Sequence, residues 1–155
     1  MKQILEKQVV FSGTLSFLAF LAQRPRLQKT TAWFTSRFAQ LNLYLNKPAQ
    51  TKELHSLANQ WKALMPPDGQ ENFKVKEVTE DTAFTEIHLK CPLRGSGNVE
   101  ACYELMNYDR KLMDAVGGTL IVLESQSNSG KDYCRLAIRP KGASIEDLTP
   151  AHKKA

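Results

Sequence analysis

Three cysteines are the residues in this chain whose type and placement most favour chemistry. Cys91, Cys102 and Cys134 all lie in the C-terminal half, and none belongs to a Cys-x-x-Cys pair. Zinc ribbons and thioredoxin-like redox motifs need that close spacing, so the sequence disfavours both. Each cysteine lies in a segment whose periodicity turns it inward, and we therefore predict that the thiols line one pocket. Simple core packing is the alternative, because free cysteine is often buried as a small hydrophobe.

Cys102 and Asp109 lie on one stripe of a helix that we predict over residues 98–116. Apolar residues recur along it at steps of three and four, through Met106, Met113 and Val116. If there is catalysis, Cys102 is the predicted nucleophile, since the free amides and dipole of a helix N-terminus stabilise a thiolate. Asp109 would then orient a substrate amine or manage a proton. The alternative for Asp109 is a structural ion pair with Arg110, Arg135 or Arg139.

The segment 91–98 links a predicted strand to this helix and offers a second kind of site. Its two glycines let the backbone approach a ligand, while Arg94, Ser96 and the amides at the helix start could hold a carboxylate or phosphate. A plain flexible connection is the alternative. Gly95-Ser96-Gly97 imitates the opening of a dinucleotide fingerprint, but the third glycine and the further βα units are missing.

A metal site is the main rival to a pocket for an organic molecule. Cys91, Cys102, Cys134 and His88 together offer four ligands that suit zinc or iron. On an extended strand, however, His88 points away from Cys91 because the two are three residues apart. We therefore expect no cofactor, and we keep a cysteine-based metal or redox-sensing module as an alternative.

Composition and charge favour one domain of the α+β class. The chain has 155 residues and a net charge of +5, which we interpret as solubility charge rather than a nucleic-acid footprint. We expect a single domain over 1–141 and a C-terminal tail over 142–155 that is disordered at its end. The odd number of cysteines indicates a reducing cytoplasm.

The apolar run over 9–22 is too short to span a bilayer. It is read as a buried helix, with an export signal or a helix covering a partner subunit in a homo-oligomer as alternatives.

Hydrophobic periodicity predicts three helices followed by a ββαββ unit. The helices cover 4–22, 30–45 and 51–64, and the second is indicated by the recurrence of Trp33, Phe34, Phe38, Leu41 and Leu45. Period-two segments predict strands over 73–79, 83–91, 119–126 and 132–139, on either side of the helix over 98–116. Because each pair of strands reads as a hairpin, we predict a four-stranded antiparallel sheet with helices packed on one face.

The cysteine-bearing half also resembles two related families. The motifs are Cys91-Pro92-Leu93, Ala101-Cys102, Asp109, Gly117-Gly118, Leu123-Glu124-Ser125, Gly130 and Tyr133-Cys134-Arg135, all within residues 83–139. They resemble the L-2-amino-thiazoline-4-carboxylic acid hydrolase-like family and the 4-vinyl reductase ligand-binding domains. The first resemblance implies hydrolytic opening of a small sulfur heterocycle near a cysteine and an aspartate. The second implies binding of small, often hydrophobic molecules.

These observations predict a cytoplasmic domain that binds a small organic molecule in a cysteine-lined pocket. The predicted ligand-binding residues are Cys91, Arg94, Ser96 and Cys134, and the predicted catalytic pair is Cys102 and Asp109. A hydrolase that acts on a cyclic amidine, thiazoline or amide is the next alternative. Binding ranks above catalysis because no histidine is placed as a base for the thiol.

Overall fold

The computed structural model describes residues 13–154, which contain five α-helices and one four-stranded sheet. The first helix, α1 (13–22), ends at Ala22, as predicted, ahead of Arg24-Pro25, because the residue before a proline disfavours helical geometry. The part of that predicted helix over 4–12 lies outside the described residues. The other elements are α2 (Gln28–Asn46), α3 (Leu54–Ala63), β1 (Phe73–Val78), β2 (Ala83–Ile87), α4 (Val99–Leu105), α5 (Asn107–Val116), β3 (Gly118–Glu124) and β4 (Cys134–Pro140).

The sheet confirms both predicted hairpins and has the strand order β1-β2-β4-β3. Every neighbouring pair is antiparallel, so the two hairpins meet along β2 and β4. In that central pairing Ile87 stands opposite Cys134. The inner face of the sheet packs on the helices and belongs to the main core, with Phe73, Ala83, Ile87, Leu120, Cys134, Leu136 and Ile138. The predicted fold class is therefore confirmed.

Strand β2 is shorter than the sequence pattern predicts. The strand was expected over 83–91 but ends at Ile87, because its partner β4 begins at Cys134, directly opposite. Beyond Ile87 no strand residue of β4 remains to pair with it. Leu89 and Cys91, which follow the strand, nevertheless still point to the inner side of the sheet, as the predicted alternation requires. β3 likewise ends at Glu124 rather than at residue 126.

The helix predicted over 98–116 is two helices, because the backbone leaves helical geometry at Met106. There ψ is 0°, and the Met106 amide is shared between the carbonyls of Cys102 and Glu104. The next side chain, Asn107, is held by the neighbouring helix α2 through Ala32 O, Thr35 Oγ1 and Ser36 Oγ, at 3.1, 3.1 and 2.9 Å. The break therefore lies where α5 begins its contact with α2.

The buried face of α2 is small and polar, although its apolar residues identified the helix in the sequence. The buried positions are Thr31, Thr35 and Ala39. Both threonine hydroxyls donate to backbone carbonyls one turn earlier, so they carry no unsatisfied group into the interface. The large residues Trp33, Phe38, Leu41, Tyr44 and Leu45 are exposed.

The segment after β4 returns to the domain. Arg139, which is buried, donates to both carboxylate oxygens of Asp147 at 2.6 Å and to Thr82 Oγ1 at 2.7 Å. Further along, Lys154 donates to the carbonyl of Leu123 at 2.8 Å, and Ala151 is buried. The predicted tail is thus fastened to the sheet at two points. Within residues 13–154, no helix has the length and apolar character needed to cross a bilayer.

Candidate functional site

A cavity of about 860 Å³ lies between the helices and the inner face of the sheet. Its wall is mostly apolar and comes from α1, α2, α4, α5, the strands β1, β2 and β4, and the loops beside them. The apolar lining includes Leu15, Leu18, Phe38, Leu41, Leu45, Met65, Phe73, Ile87, Leu89, Leu105 and Met106. The polar groups on the wall are few, and they include all three cysteines and Asp109.

Each thiol reaches the cavity from a different part of the fold, and each sulfur accepts one hydrogen bond. Cys102 is on α4 and accepts from Ser125 Oγ at 3.0 Å. Cys134 opens β4 and accepts from the backbone amide of Gln126 at 3.4 Å. Cys91 follows β2 and accepts from the amide of Leu93, also at 3.4 Å. All three are free cysteines.

Burial keeps these thiols protonated. It raises the pKa of Cys102 to about 11 and the pKa of Cys134 to about 12, while the pKa of the half-buried Cys91 also rises. The cause is desolvation, since an apolar wall disfavours the charged thiolate. The helix start that was expected to stabilise a Cys102 thiolate belongs to the seven-residue helix α4, and its effect does not overcome burial.

Asp109 is the one acidic side chain that lines the cavity among the described residues. Its Oδ1 accepts from the Trp61 indole at 2.9 Å. Burial raises the pKa of Asp109 to about 6, and the indole hydrogen bond opposes this rise. The carboxyl group therefore changes charge close to neutral pH.

The arginine partners expected for Asp109 are engaged elsewhere. Arg110 lies over the Tyr103 ring at 3.8 Å, and Arg135 lies over the Phe84 ring at 5.0 Å. Arg139 pairs with Asp147 instead. The hydrogen-bond partner of the buried carboxylate is thus an indole N–H. The charge of Arg110 also lowers the pKa of Asp109, but less than burial raises it.

Arg94 and Ser96 do not line the cavity. Arg94 Nε donates to Gln126 Oε1 at 3.1 Å, and Ser96 Oγ accepts from the Asn98 amide at 3.2 Å. The amides of the two loop glycines, Gly95 and Gly97, donate to the carbonyls of Gln126 and Ser127. These amides already have partners, so the structure does not bring the expected anion-binding groups together.

Gln126 organises the cysteine side of the cavity and was not identified from the sequence. Its side chain accepts from the Cys91 amide at 3.4 Å and from Arg94 Nε, and it donates to the Leu89 carbonyl at 2.8 Å. The backbone amide of Gln126 donates to Cys134 Sγ. A lone glutamine after a strand carries no periodic signal, so only the fold reveals that it joins β2, β4 and the loop.

Asn42 and Tyr108 form a second polar pair on the wall, also missed in the sequence. The Asn42 amide donates to Tyr108 Oη at 2.7 Å and to the Leu64 carbonyl at 2.9 Å. Burial raises the pKa of Tyr108 to about 12, so its hydroxyl stays neutral. Tyr108 precedes Asp109 on α5, which places a phenol and a carboxyl group on the same part of the wall.

The remaining candidate ligands lie apart from this cavity. His88 contacts Glu86 at 2.8 Å and stacks on Tyr133, so it points away from the thiols as predicted. His152 lines a smaller cavity of about 320 Å³, which Cys102 also touches from its other side. Within residues 13–154 no group of three or more His, Cys, Asp or Glu side chains could hold a metal ion.

Comparison with known proteins finds no match: no family model, curated protein or solved structure is similar to this chain. The resemblance to the thiazoline-hydrolase-like and 4-vinyl reductase groups therefore stays a prediction from the sequence motifs.

Proposed function

We propose that this protein binds a small, largely apolar organic molecule in the main cavity. The observation that carries the proposal is the cavity itself, whose volume of about 860 Å³ has an apolar wall and a few grouped polar side chains. Cavities of roughly 300–1,000 Å³ with such walls are typical of small-molecule sites. The free thiols agree with a reducing compartment, so we place this function in the cytoplasm.

The polar groups on the wall favour a ligand with a hydrogen-bond donor at one end. Asp109 has one oxygen bound to Trp61, and at neutral pH its carboxylate form attracts a donor or a cation. Tyr108 lies beside it as a neutral phenol. The protonated thiols line the remainder as soft, weakly polar surface. We therefore expect an apolar ring or chain that carries an N–H group.

Catalysis by Cys102 is the less favoured proposal. A thiol attacks as the thiolate, and burial raises the pKa of Cys102 to about 11. Among the residues described as lining the main cavity there is no histidine that could act as its base. Binding needs neither a thiolate nor a base, so it agrees better with the site.

A fluorescence titration with N-phenyl-1-naphthylamine tests the proposal. This probe is neutral and apolar, carries one N–H group, and brightens when it leaves water. We expect saturable binding at one site per chain. Cys91→Trp should weaken it strongly, because Cys91 is half-buried on the cavity wall and an indole there would occupy part of the space that the probe needs.

Lys90→Trp is the matched control, since Lys90 is exposed and does not line the cavity. It adds the same indole one residue away and should leave binding unchanged. Equal binding by the wild type and Cys91→Trp, or equal loss in both variants, would reject the cavity as the binding site.

A further inference from the structure

The helices α1 and α2 present an apolar face to solvent. Side chains that are 44% to 74% exposed form this α1–α2 face: Phe17, Phe20, Trp33, Phe38, Leu41, Tyr44 and Leu45. At 100° per residue, the five on α2 fall within an arc of about 140°. Monomers normally scatter exposed apolar residues singly, so seven of them on two consecutive helices indicate an interaction surface.

The charged side chains of the segment that carries this face are all of one sign. Residues 13–52 contain no aspartate or glutamate, while their basic residues are Arg24, Arg26, Lys29, Arg37, Lys47 and Lys52. All six are exposed. Two of these cations lie against aromatic rings of the face: Arg24 over Phe20 at 3.9 Å and Arg37 over Trp33 at 5.5 Å. The positive charge of the chain is therefore concentrated where its apolar surface is exposed.

We propose that the α1–α2 face docks the protein on an anionic lipid bilayer. Phenylalanine and leucine side chains enter the acyl boundary, tryptophan and tyrosine favour the interface, and arginine and lysine attract anionic headgroups. Trp33 and Tyr44 lie on the same arc as Leu41 and Leu45, with Arg37 between them in sequence. An exposed face of aromatic, aliphatic and basic side chains is the combination by which a folded domain contacts an anionic membrane surface.

The charge argues against a second copy of the chain as the partner. A symmetric dimer brings the same patch of both copies together. Here that contact would oppose two sets of arginine and lysine side chains, with no acidic residue of 13–52 to neutralise them. The aliphatic residues Leu41 and Leu45 likewise favour lipid over nucleic acid, whose bases stack on rings.

The face is continuous with the cavity. Phe38, Leu41 and Leu45 belong to the exposed face and also line the cavity wall. A docked protein would therefore hold the cavity mouth toward the acyl chains, and an apolar molecule could pass between them without crossing water. This last step rests on the proposed ligand-binding function, whereas the docking itself does not.

Vesicle flotation tests the docking. One set of vesicles contains phosphatidylcholine alone, and the other an equal mixture with anionic phosphatidylglycerol. We expect binding to the anionic vesicles at low salt, at least about tenfold weaker binding to the neutral ones, and loss of binding near 0.5 M salt. Trp33 should report the contact by a blue shift of its emission that disappears in Trp33→Phe, because Trp61 is fully buried.

Variants on two faces separate docking from general charge. Arg37→Glu and the double change Trp33→Ser with Tyr44→Ser should each weaken anionic-vesicle binding about tenfold or more. Lys74→Glu makes the same charge reversal on exposed β1 and should have a much smaller effect. Folding is monitored by thermal melting, which changes at these exposed positions should leave nearly unaltered.

The docking proposal would be overturned by no binding to anionic vesicles, by equal binding to both kinds of vesicle, or by equal losses in Arg37→Glu and Lys74→Glu. A dimer in sedimentation that Tyr44→Ser dissociates would overturn it too. Tighter binding to a single-stranded oligonucleotide than to vesicles would also overturn it. Cys91→Trp narrows the cavity but leaves the α1–α2 face intact, so it should still bind vesicles. Vesicle binding without probe binding in the wild type would reject the ligand proposal alone.

Discussion

Asp109 shows how a single buried residue sets the chemistry of the cavity. Its carboxyl group is bound to the Trp61 indole, and burial raises its pKa from 3.8 to about 6. The sequence correctly placed it on the inward stripe, but it could not supply the partner. The arginines expected to pair with Asp109 contact other groups instead, because partner choice depends on side-chain direction across the fold.

Asp109→Asn should make the protein more stable at neutral pH and less sensitive to pH. Between pH 3.8 and about 6 the native state holds a proton that the unfolded chain releases, so wild-type unfolding free energy falls as pH rises through this range. Asparagine keeps an acceptor for Trp61 and carries no charge. We expect a gain of about 1–3 kcal/mol at neutral pH, measured by urea unfolding across pH.

Asp132→Asn is the control for that experiment, because Asp132 is exposed. It should change neither the unfolding free energy nor its pH dependence appreciably. The opposite result would be a wild-type unfolding free energy that rises between pH 4 and 6, with an equally steep pH dependence in Asp109→Asn. It would show that the carboxyl group is not desolvated.

The thiols give a second prediction at the residue scale. A pKa of about 11 makes the thiolate of Cys102 about 100-fold scarcer at neutral pH than in an ordinary cysteine of pKa 9.0. Native protein should therefore alkylate slowly with iodoacetamide at Cys102 and Cys134, and fastest at the half-buried Cys91. Peptide mass spectrometry reads each site, and unfolded protein supplies the reference rate. Preferential alkylation of Cys102 in the native state would instead indicate an activated nucleophile.

At the scale of elements, sequence periodicity predicted which helices and strands exist better than which faces they bury. The helix α2 was identified from its aromatic and leucine residues, yet it buries Thr31, Thr35 and Ala39. Periodicity shows that a helix has an apolar stripe, but it does not show whether that stripe faces the core or the solvent. The hydroxyls of the buried threonines donate to backbone carbonyls of α2, and Asn107 of α5 donates to Thr35 Oγ1. No sequence pattern predicts these contacts.

The same limit explains the element ends. The break at Met106 and the early end of β2 depend on contacts with α2 and β4 respectively, so local residues alone do not specify them. The end of α5 is local and was predicted correctly. Gly117 caps that helix with φ at 96°, where glycine is favoured.

Gly117→Ala should therefore be unusually costly. A Cβ at Gly117 would lie 2.6 Å from the Thr51 carbonyl oxygen, besides the strain of its positive φ. Gly130→Ala is the matched control, because its φ is also positive at 72° but nothing lies within 4 Å of the added carbon. We expect about 1 kcal/mol from strain at Gly130 and clearly more, roughly 3 kcal/mol, at Gly117. Equal urea midpoints for the two variants would show that the segment before α3 moves aside readily.

At the scale of the whole molecule, the sequence predicted the fold class and the meeting of the cysteines. The fold follows from the change of period after the Pro66-Pro67 breaker, which is a local signal. The cavity brings together α1, α2 and the sheet, and its volume depends on how far these layers stand apart. The net charge of the whole chain also gave no sign that residues 13–52 contain no acidic residue. That segment becomes informative only because α1 and α2 expose apolar side chains.

The central claim is that the main cavity binds an apolar small molecule, and the methionine methyl groups test it directly. Met65 and Met106 line the cavity, while Met113 is buried in the core and does not. In a carbon-13 methyl spectrum titrated with N-phenyl-1-naphthylamine, we predict saturable shifts at Met65 and Met106 and little change at Met113. Unmoved Met65 and Met106 signals at probe concentrations that saturate fluorescence would contradict the account.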